Sequence, residues 1–558
     1  LEGPDPGFQG ILSAPRGLIL DRQGTILADN KASFKVSLLR ENIGNARSRY
    51  PAISSLLGIS EKDLRERVER YKGLSPFEPV VIKDGLEPEE IAPIEARRLE
   101  FPELDVAAEP KRSYPLGTLA AHVLGYLQER TPEEIRDSPQ RNLNVGDMGG
   151  RAGLERQYDS VLTGKDGSAV EIVDSLGRRR GEISSQNPVQ GNDLHLTIDA
   201  RLQAKAEELL AGKEGVIVVL DPATGGILTM ASYPTFDPNR FISRFTPEEW
   251  LELTNDPASP LENRAIRGLY APGSIFKLVM ASGGLDLGFV TEQTTVYCSG
   301  SIVIYGTPRA CWFAAGHGAM NLPNAIKNSC NIYFYKLGQQ MGIDTIAMAA
   351  GRMGLGKMTG IDLPGEKEGL VPSSEWKQRT LKTPWYPGET ISVAIGQGQL
   401  QVTPLQIADL TAVIANRGTR PNLHLLLSTG DRGGASRPGG SGDAAASSPP
   451  FRPSTFESVI EGMWRSVNDQ GTGQAARVEG LDVCGKTGST QVVSRERAEM
   501  MAKAGKPIKT HSWFSGFAPR DNPRVVVTVL VEYGGGGAAI AAPIAGQIFS
   551  LYRSLYEK

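Results

Sequence analysis

The chain has 558 residues, 40% hydrophobic and 22% charged, an ordinary globular composition with ample material for a core and more than one domain. A formal net charge of −3 argues against a nucleic-acid binder, which carries a basic excess. No apolar run is long enough to cross a membrane as a helix.

The opening Leu1-Glu2-Gly3-Pro4-Asp5-Pro6-Gly7 has no initiating methionine. Residues 1–11 read as a trimmed start or a juxtamembrane linker. A first domain is expected over 12–190. Pro15-Arg16-Gly17-Leu18-Ile19-Leu20-Asp21 and Ile26-Leu27-Ala28 flank a Gln23-Gly24 turn, which predicts a small hairpin. Residues 61–71 and 87–99 have helical spacing with acidic starts, and Gly153-Leu154-Glu155 opens a helix-like stretch to Leu162. Nothing here looks catalytic, so the region reads as a scaffold or docking module.

A polar stretch at Pro188–Asn192 sets the boundary with a second domain, 191–558. Residues 194–198 read as a strand, and Asp199 is placed to cap a helix over 200–211. Residues 216–220 and 227–231, joined by Asp221-Pro222-Ala223-Thr224-Gly225-Gly226, predict a hairpin; 513–518 and 525–532 predict another strand pair. Strands and helices mixed without strict alternation indicate an α+β fold. Residues 429–450, rich in Gly, Ser, Ala and Pro, read as a flexible surface loop.

Three short motifs carry the chemistry. Ser274-Ile275-Phe276-Lys277 follows an Ala271-Pro272-Gly273 turn and opens an apolar helical stretch. Taken singly, Ser274 could be a helix cap and Lys277 a surface lysine. Three-residue spacing on a helix puts both side chains on one face. A lysine desolvated near a second cation, for which Lys486 is a candidate, can act as a base. Ser329-Cys330-Asn331 follows a helical stretch over 322–328 and could be a simple turn pair, or a hydroxyl relay beside an amide-binding side chain. Lys486-Thr487-Gly488-Ser489-Thr490 reads as a strand. Its Lys-Thr pair suits a carboxylate, and its Gly marks a possible close approach of a ligand backbone. None of the five histidines lies in a serine-hydrolase arrangement, so the order of the motifs indicates a serine acyl transferase that works without histidine.

These motifs, with Ala14-Pro15-Arg16-Gly17, Tyr114-Pro115-Leu116-Gly117, Gly153-Leu154-Glu155, Gly396-Gln397-Gly398 and Trp513-Phe514-Ser515-Gly516, resemble the class B penicillin-binding proteins over nearly the whole chain. Gly316-His317-Gly318 and Tyr333-Phe334-Tyr335 are similar to the elongation-type branch. The resemblance implies a transpeptidase domain of the serine β-lactamase-like fold, an antiparallel sheet flanked by helices, on an elongated pedestal. It implies a D,D-transpeptidase that cross-links peptidoglycan stem peptides and is acylated by β-lactams. Ser274 would be the nucleophile, Lys277 the base, and Ser329 the relay to departing D-Ala. Asn331 would hold the donor peptide. Lys486 and Thr487 would bind its carboxylate beside Gly488 and Thr490, and the Ser274 and Ser489 amides would form the oxyanion hole. The resemblance further implies a single-pass anchor in a bacterial membrane, an extracytoplasmic catalytic domain, and a RodA-like polytopic glycan polymerase docked on the pedestal.

No cofactor is expected for catalysis. Cys298, Cys311, His317 and Cys330 fall in one window with the ligand set of a Cys3His structural zinc site. A Cys298–Cys311 disulfide and free buried thiols are the alternatives. Cys484 reads as a small strand residue. A β-lactamase or β-lactam sensor could use the same three motifs, and a non-catalytic scaffold could use the pedestal. A class A lactamase would need an assignable deacylating Glu and Asp where Cys330 stands.

Overall fold

The computed structural model describes residues 8–39, 46–70, 80–137, 147–173, 179–242, 245–430, 451–491 and 510–557. Residues 431–450 of the low-complexity stretch lie outside these. Thr429 does not open a loop as the sequence reading had it; it ends a strand, Leu426–Thr429.

The catalytic half is built on one five-stranded antiparallel sheet: β1 (Gly215–Leu220), β2 (Ile227–Tyr233), β3 (Cys484–Gln491), β4 (Thr510–Ala518) and β5 (Val525–Val531). Their order is β2-β1-β5-β4-β3, so β3 is an edge strand. Every residue of β1 and β5 is buried, which is why both read as unbroken Val/Ile/Leu runs rather than alternating ones. Helices cover both faces. Helices Ala200–Leu210 and Ala541–Tyr556 pack on one side, with Leu202, Leu210, Ile548 and Phe549 buried against Val219 and Val527. The Ser274 helix lies on the other, with Phe276, Leu278 and Met280 buried against Val218 and Leu530. Each such apolar side chain contributes about 1.5–3 kcal/mol on burial. Asp199 caps its helix as the sequence predicts, accepting from the Arg201 and Leu202 amides at 2.9 and 3.3 Å.

The predicted hairpin at 18–28 is present as Ile19–Leu20 against a longer strand, Ile26–Leu38. That strand continues into the pedestal and pairs with Val80–Leu86 and Leu104–Ser113. Helices Ala46–Leu57 and Glu61–Arg70 close a separate apolar core over this sheet.

Two expected boundaries shift. Phe8–Leu12 is a strand paired with Gly167–Val173, so the 1–11 segment is not wholly a linker. The break at 190/191 is crossed by a sheet: Leu194–Leu196 pairs with Ile19–Leu20 on one side and Leu426–Thr429 on the other. Backbone hydrogen bonds tie the two halves together, and composition alone does not reveal such a tie.

The three pedestal motifs converge in space. Glu155, fully buried, accepts from Arg16 Nε at 2.9 Å, Arg112 Nε at 2.7 Å and the Tyr114 hydroxyl at 3.2 Å. Burial opposes the charge, but Arg112 and Arg16 together hold the Glu155 carboxyl below its ordinary range. Tyr114 carries the link onward: its amide donates to Asn239 Oδ1, and Asn239 Nδ2 donates back to its carbonyl, each at 2.9 Å.

Candidate active site

Ser274 sits in a 3-10 turn, Gly273–Phe276, and Lys277 begins the α-helix that runs to Asp286. The turn is pinned from three sides. Gly273 N–H donates to the Gly396 carbonyl at 2.9 Å. The Ala271 carbonyl accepts from Thr490 Oγ1 at 2.9 Å and Trp513 Nε1 at 3.2 Å. Gly273 has φ of +55°, which suits glycine, and a Cβ there would lie 2.9 Å from the Ser489 carbonyl oxygen.

The role of Gly488 differs from the expected approach of a ligand. A Cβ at Gly488 would meet the Pro272 oxygen at 3.0 Å and Ile275 Cγ1 at 3.2 Å. The missing side chain lets the Ser274 turn lie flat on β3. Thr490 departs in the same way. It is buried, and its hydroxyl braces the turn rather than facing a substrate. Residues 486, 488 and 490 share one face of β3 by strand alternation.

Lys277 is fully buried and donates to the Ser329 carbonyl at 2.8 Å, Ser329 Oγ at 3.2 Å and Asn331 Oδ1 at 2.6 Å. These contacts bring the first two motifs together, with the lysine engaged by Ser329 and Asn331. Burial, partly offset by the nearby Cys311 and Cys330 thiols, brings the Lys277 ammonium down to about 8. Lys486 is also fully buried; its Nζ donates to the Thr487 carbonyl at 3.0 Å. Burial, then the charge of Lys277, pushes Lys486 well below the ordinary lysine range. The neighbouring lysine expected from sequence is present, but burial is what lowers Lys277, and the charge of Lys277 acts on Lys486 rather than the reverse. Among the described residues, neither lysine pairs with a carboxylate.

Ser329 has φ of +52°, a left-handed conformation that costs a non-glycine residue roughly 1–3 kcal/mol. It sits between two helices, Leu322–Lys327 and Asn331–Arg352. The Lys277 bond to its carbonyl and the Cys330 amide bond to the Ala325 carbonyl, 2.9 Å, hold it there. Thr487 Oγ1 donates to Thr472 Oγ1 at 2.8 Å. Thr472 was not singled out from sequence; its only signal is a Gly471-Thr472-Gly473 turn ahead of β3. Ser489 is exposed, and its hydroxyl accepts from the Gly537 amide at 3.0 Å.

Behind Ser329, the ligand atoms of Cys298, Cys311, His317 and Cys330 all lie within 4.8 Å of one another. His317 Nδ1 is 3.5 Å from both Cys298 Sγ and Cys311 Sγ. All four cysteines of the chain are free thiols, so the disulfide alternative is not formed. The hydrogen bond from Cys330 draws the Cys311 thiol down to about 4, and the same bond drives Cys330 up. The Asn331 amide donates to Cys311 Sγ at 3.4 Å, so this cluster grips the loop that carries Ser329.

The description "Penicillin binding protein transpeptidase domain" matches residues 215–550, and "Penicillin-binding Protein dimerisation domain" matches 11–196. The chain belongs to the penicillin-binding protein transpeptidase family. This penicillin-binding protein is 35% identical to the peptidoglycan D,D-transpeptidase MrdA of Acinetobacter baumannii, over 96% of this chain and 80% of that one. It is 31% identical to MrdA of Escherichia coli K12, over 95% and 85%. Among solved structures, it is similar to penicillin-binding protein PBP2 of Helicobacter pylori in complex with MreC. That match has a TM-score of 0.83 and 27% identity, over 98% of this chain and 99% of that one. The α+β architecture expected from sequence, a transpeptidase domain on a pedestal, is the observed one.

Proposed function

We propose that this penicillin-binding protein is a peptidoglycan D,D-transpeptidase of cell elongation that works through an acyl-Ser274 intermediate. The observation that carries this reading is the pair of buried lysines without a carboxylate partner, Lys277 opening the helix that follows the Ser274 turn and Lys486 on the strand that seats that turn. Ser274 Oγ attacks the carbonyl of the penultimate D-Ala of a stem pentapeptide. Lys277, once neutral, takes the serine proton, and its ammonium is brought close to physiological pH for that purpose. Backbone N–H groups of Ser274 and Ser489 face the developing oxyanion, a device worth roughly 3 kcal/mol per donor. Ser329, hydrogen-bonded to Lys277, passes the proton to the departing D-Ala amine. Asn331 holds the donor peptide amide, and Lys486 and Thr487 face its terminal carboxylate. The free edge of β3 suits pairing with an extended peptide. An amine of a second stem peptide then displaces Ser274 and closes the cross-link.

The Cys298, Cys311, His317 and Cys330 set fits a tetrahedral zinc in ligand type, number and convergence. Zinc would stabilise deprotonated thiols and hold the Ser329 loop from behind. The pedestal would dock a RodA-like glycan polymerase beside a membrane anchor, with the catalytic domain outside the membrane. The H. pylori relative in complex with MreC supports a place among wall-synthesis partners.

A fluorescent penicillin tests the reading. Stable labelling, located on Ser274 by mass spectrometry and lost in Ser274→Ala, is expected. Label on another residue, or rapid turnover of the drug, overturns it. Elemental analysis is expected to find about one zinc per chain; metal-free protein with a Cys298–Cys311 bond overturns the metal assignment.

A further inference from the structure

The sheet-side wall of the site, β3 with Lys486 and Thr487, faces the donor peptide. The opposite wall is the Ser329 loop, and beyond it stand two large side chains that the mechanism does not use. Trp312 is 58% exposed and Phe313 44%. Their rings lie side by side with centroids 5.8 Å apart. Single exposed apolar residues are common on proteins, but this pair is braced. Trp312 Nε1 donates to the Asn328 carbonyl at 3.0 Å, immediately before Ser329. Next to Trp312 in the chain, Cys311 accepts from the Asn331 amide, immediately after that loop's Cys330. His317 sets its ring 5.4 Å from Trp312 and 5.2 Å from Phe313. Both sides of the Ser329 turn are thus fastened to one Cys311-Trp312 dipeptide, and the indole keeps an open surface.

A fixed, amphipathic ring loses little conformational freedom on contact, so it favours a ligand more than a mobile side chain would. Once Ser274 is acylated, the donor is held between β3 and Asn331, and the departed D-Ala has vacated the space beside Ser329. The incoming amine must then reach the ester carbonyl over the Ser329 wall. We propose that Trp312 and Phe313 form the platform for the acceptor stem peptide, whose aliphatic body lies against the rings while its amine points at acyl-Ser274. This rests on the assignment of Ser274 as the acylated residue. In the step concerned, the amine lone pair forms the new C–N bond and the ester C–Oγ bond breaks. The proton lost by nitrogen returns to Oγ. Trp312 and Phe313 take no proton; they position the acceptor and favour it over water.

The test is the partition of the acyl-enzyme between cross-linking and hydrolysis, measured on the full chain with a stem-peptide thioester donor. Because partition follows acylation, it is independent of how fast acylation occurs, and labelling of Ser274 is read separately by mass spectrometry. With an amine-bearing stem peptide as acceptor, Trp312→Ala is expected to lower the cross-link-to-hydrolysis ratio about tenfold and Phe313→Ala about threefold. Trp312→Phe, which keeps a ring but loses the indole N–H, is expected to retain most of the ratio. With hydroxylamine, which has no apolar body, the ratio is expected to stay at the wild-type value in all three. Unchanged partition to the stem peptide in Trp312→Ala and Phe313→Ala overturns the proposal. So does an equal loss toward both nucleophiles, which would mean damage to the Ser329 relay. If Trp312→Ala fails to fold, Phe313→Ala, which removes no hydrogen bond, decides.

Discussion

Two groups of buried cations in this protein have surroundings that make them opposites. In the pedestal, Arg16 and Arg112 converge on Glu155, each donating from Nε to a carboxylate oxygen within 2.9 Å. In the catalytic half, Lys277 and Lys486 are just as buried, but their partners are carbonyls, a hydroxyl and an amide oxygen. Pairing stabilises the charged forms in the first group, holding Glu155 ionised and moving it away from titration. Lack of pairing destabilises the charged form in the second and moves Lys277 toward neutrality. The same cost of removing charge from water thus gives a structural lock in one place and, in the proposed mechanism, a base in the other. The lysine pair is the costlier arrangement for folding, in keeping with the stability that active sites give up.

Four changes would break or sharpen this contrast. Lys277→Ala is expected to slow β-lactam acylation by roughly 10³-fold, as for loss of a general base; stopped-flow fluorescence with a labelled penicillin reads it, and a loss under tenfold would remove Lys277 from that role. Glu155→Gln strips the partner from two buried guanidinium groups and is expected to cost about 3 kcal/mol of stability. Denaturant melts should register that loss while acylation per folded molecule stays level. The third change is pH. Only neutral Lys277 can accept a proton, so the acylation rate should climb about tenfold per pH unit below its pKa and level off above about 8. A flat profile from pH 6 to 9, or one that falls as pH rises, would contradict a buried lysine base. The smallest effect should come from Lys486→Met. Here a buried amine whose charged form is disfavoured gives way to an apolar side chain of similar length, so stability should rise by about 1 kcal/mol while acylation by penicillin weakens. A Glu155 variant more stable than wild type, or a Lys486→Met protein less stable, would reverse the comparison.

Much of the site was legible in the sequence because its chemistry is carried by residue types at short spacing. Ser274 and Lys277 lie three apart on one turn and its helix, and Lys486-Thr487-Gly488 lies on a strand, as the local pattern predicts. The hairpins at 215–233 and 510–531 were announced by the Val-rich runs at 216–220 and 525–531. What could not be read were the long-range encounters. Thr472 meets Thr487 across a fifteen-residue separation, and Trp312 reaches forward to Asn328 through a side-chain nitrogen. The sheet crossing the supposed 190/191 boundary joins residues far apart in the chain. No local pattern encodes such pairings, since each depends on how separate elements dock.

By itself, then, the amino-acid order determined the reacting groups, the elements that carry them and the alternation of buried and exposed positions, because those follow from local stereochemistry and hydrophobic period. Tertiary structure alone decided what each buried group is next to. That neighbour holds Glu155 ionised and brings the Lys277 ammonium down to about 8. It made Gly488 a seat for the Ser274 turn and Thr490 a brace, and it gathered three thiols and an imidazole behind Ser329. The physical reason is that desolvation and pairing energies depend on distances between residues remote in sequence, and only the folded chain sets those distances.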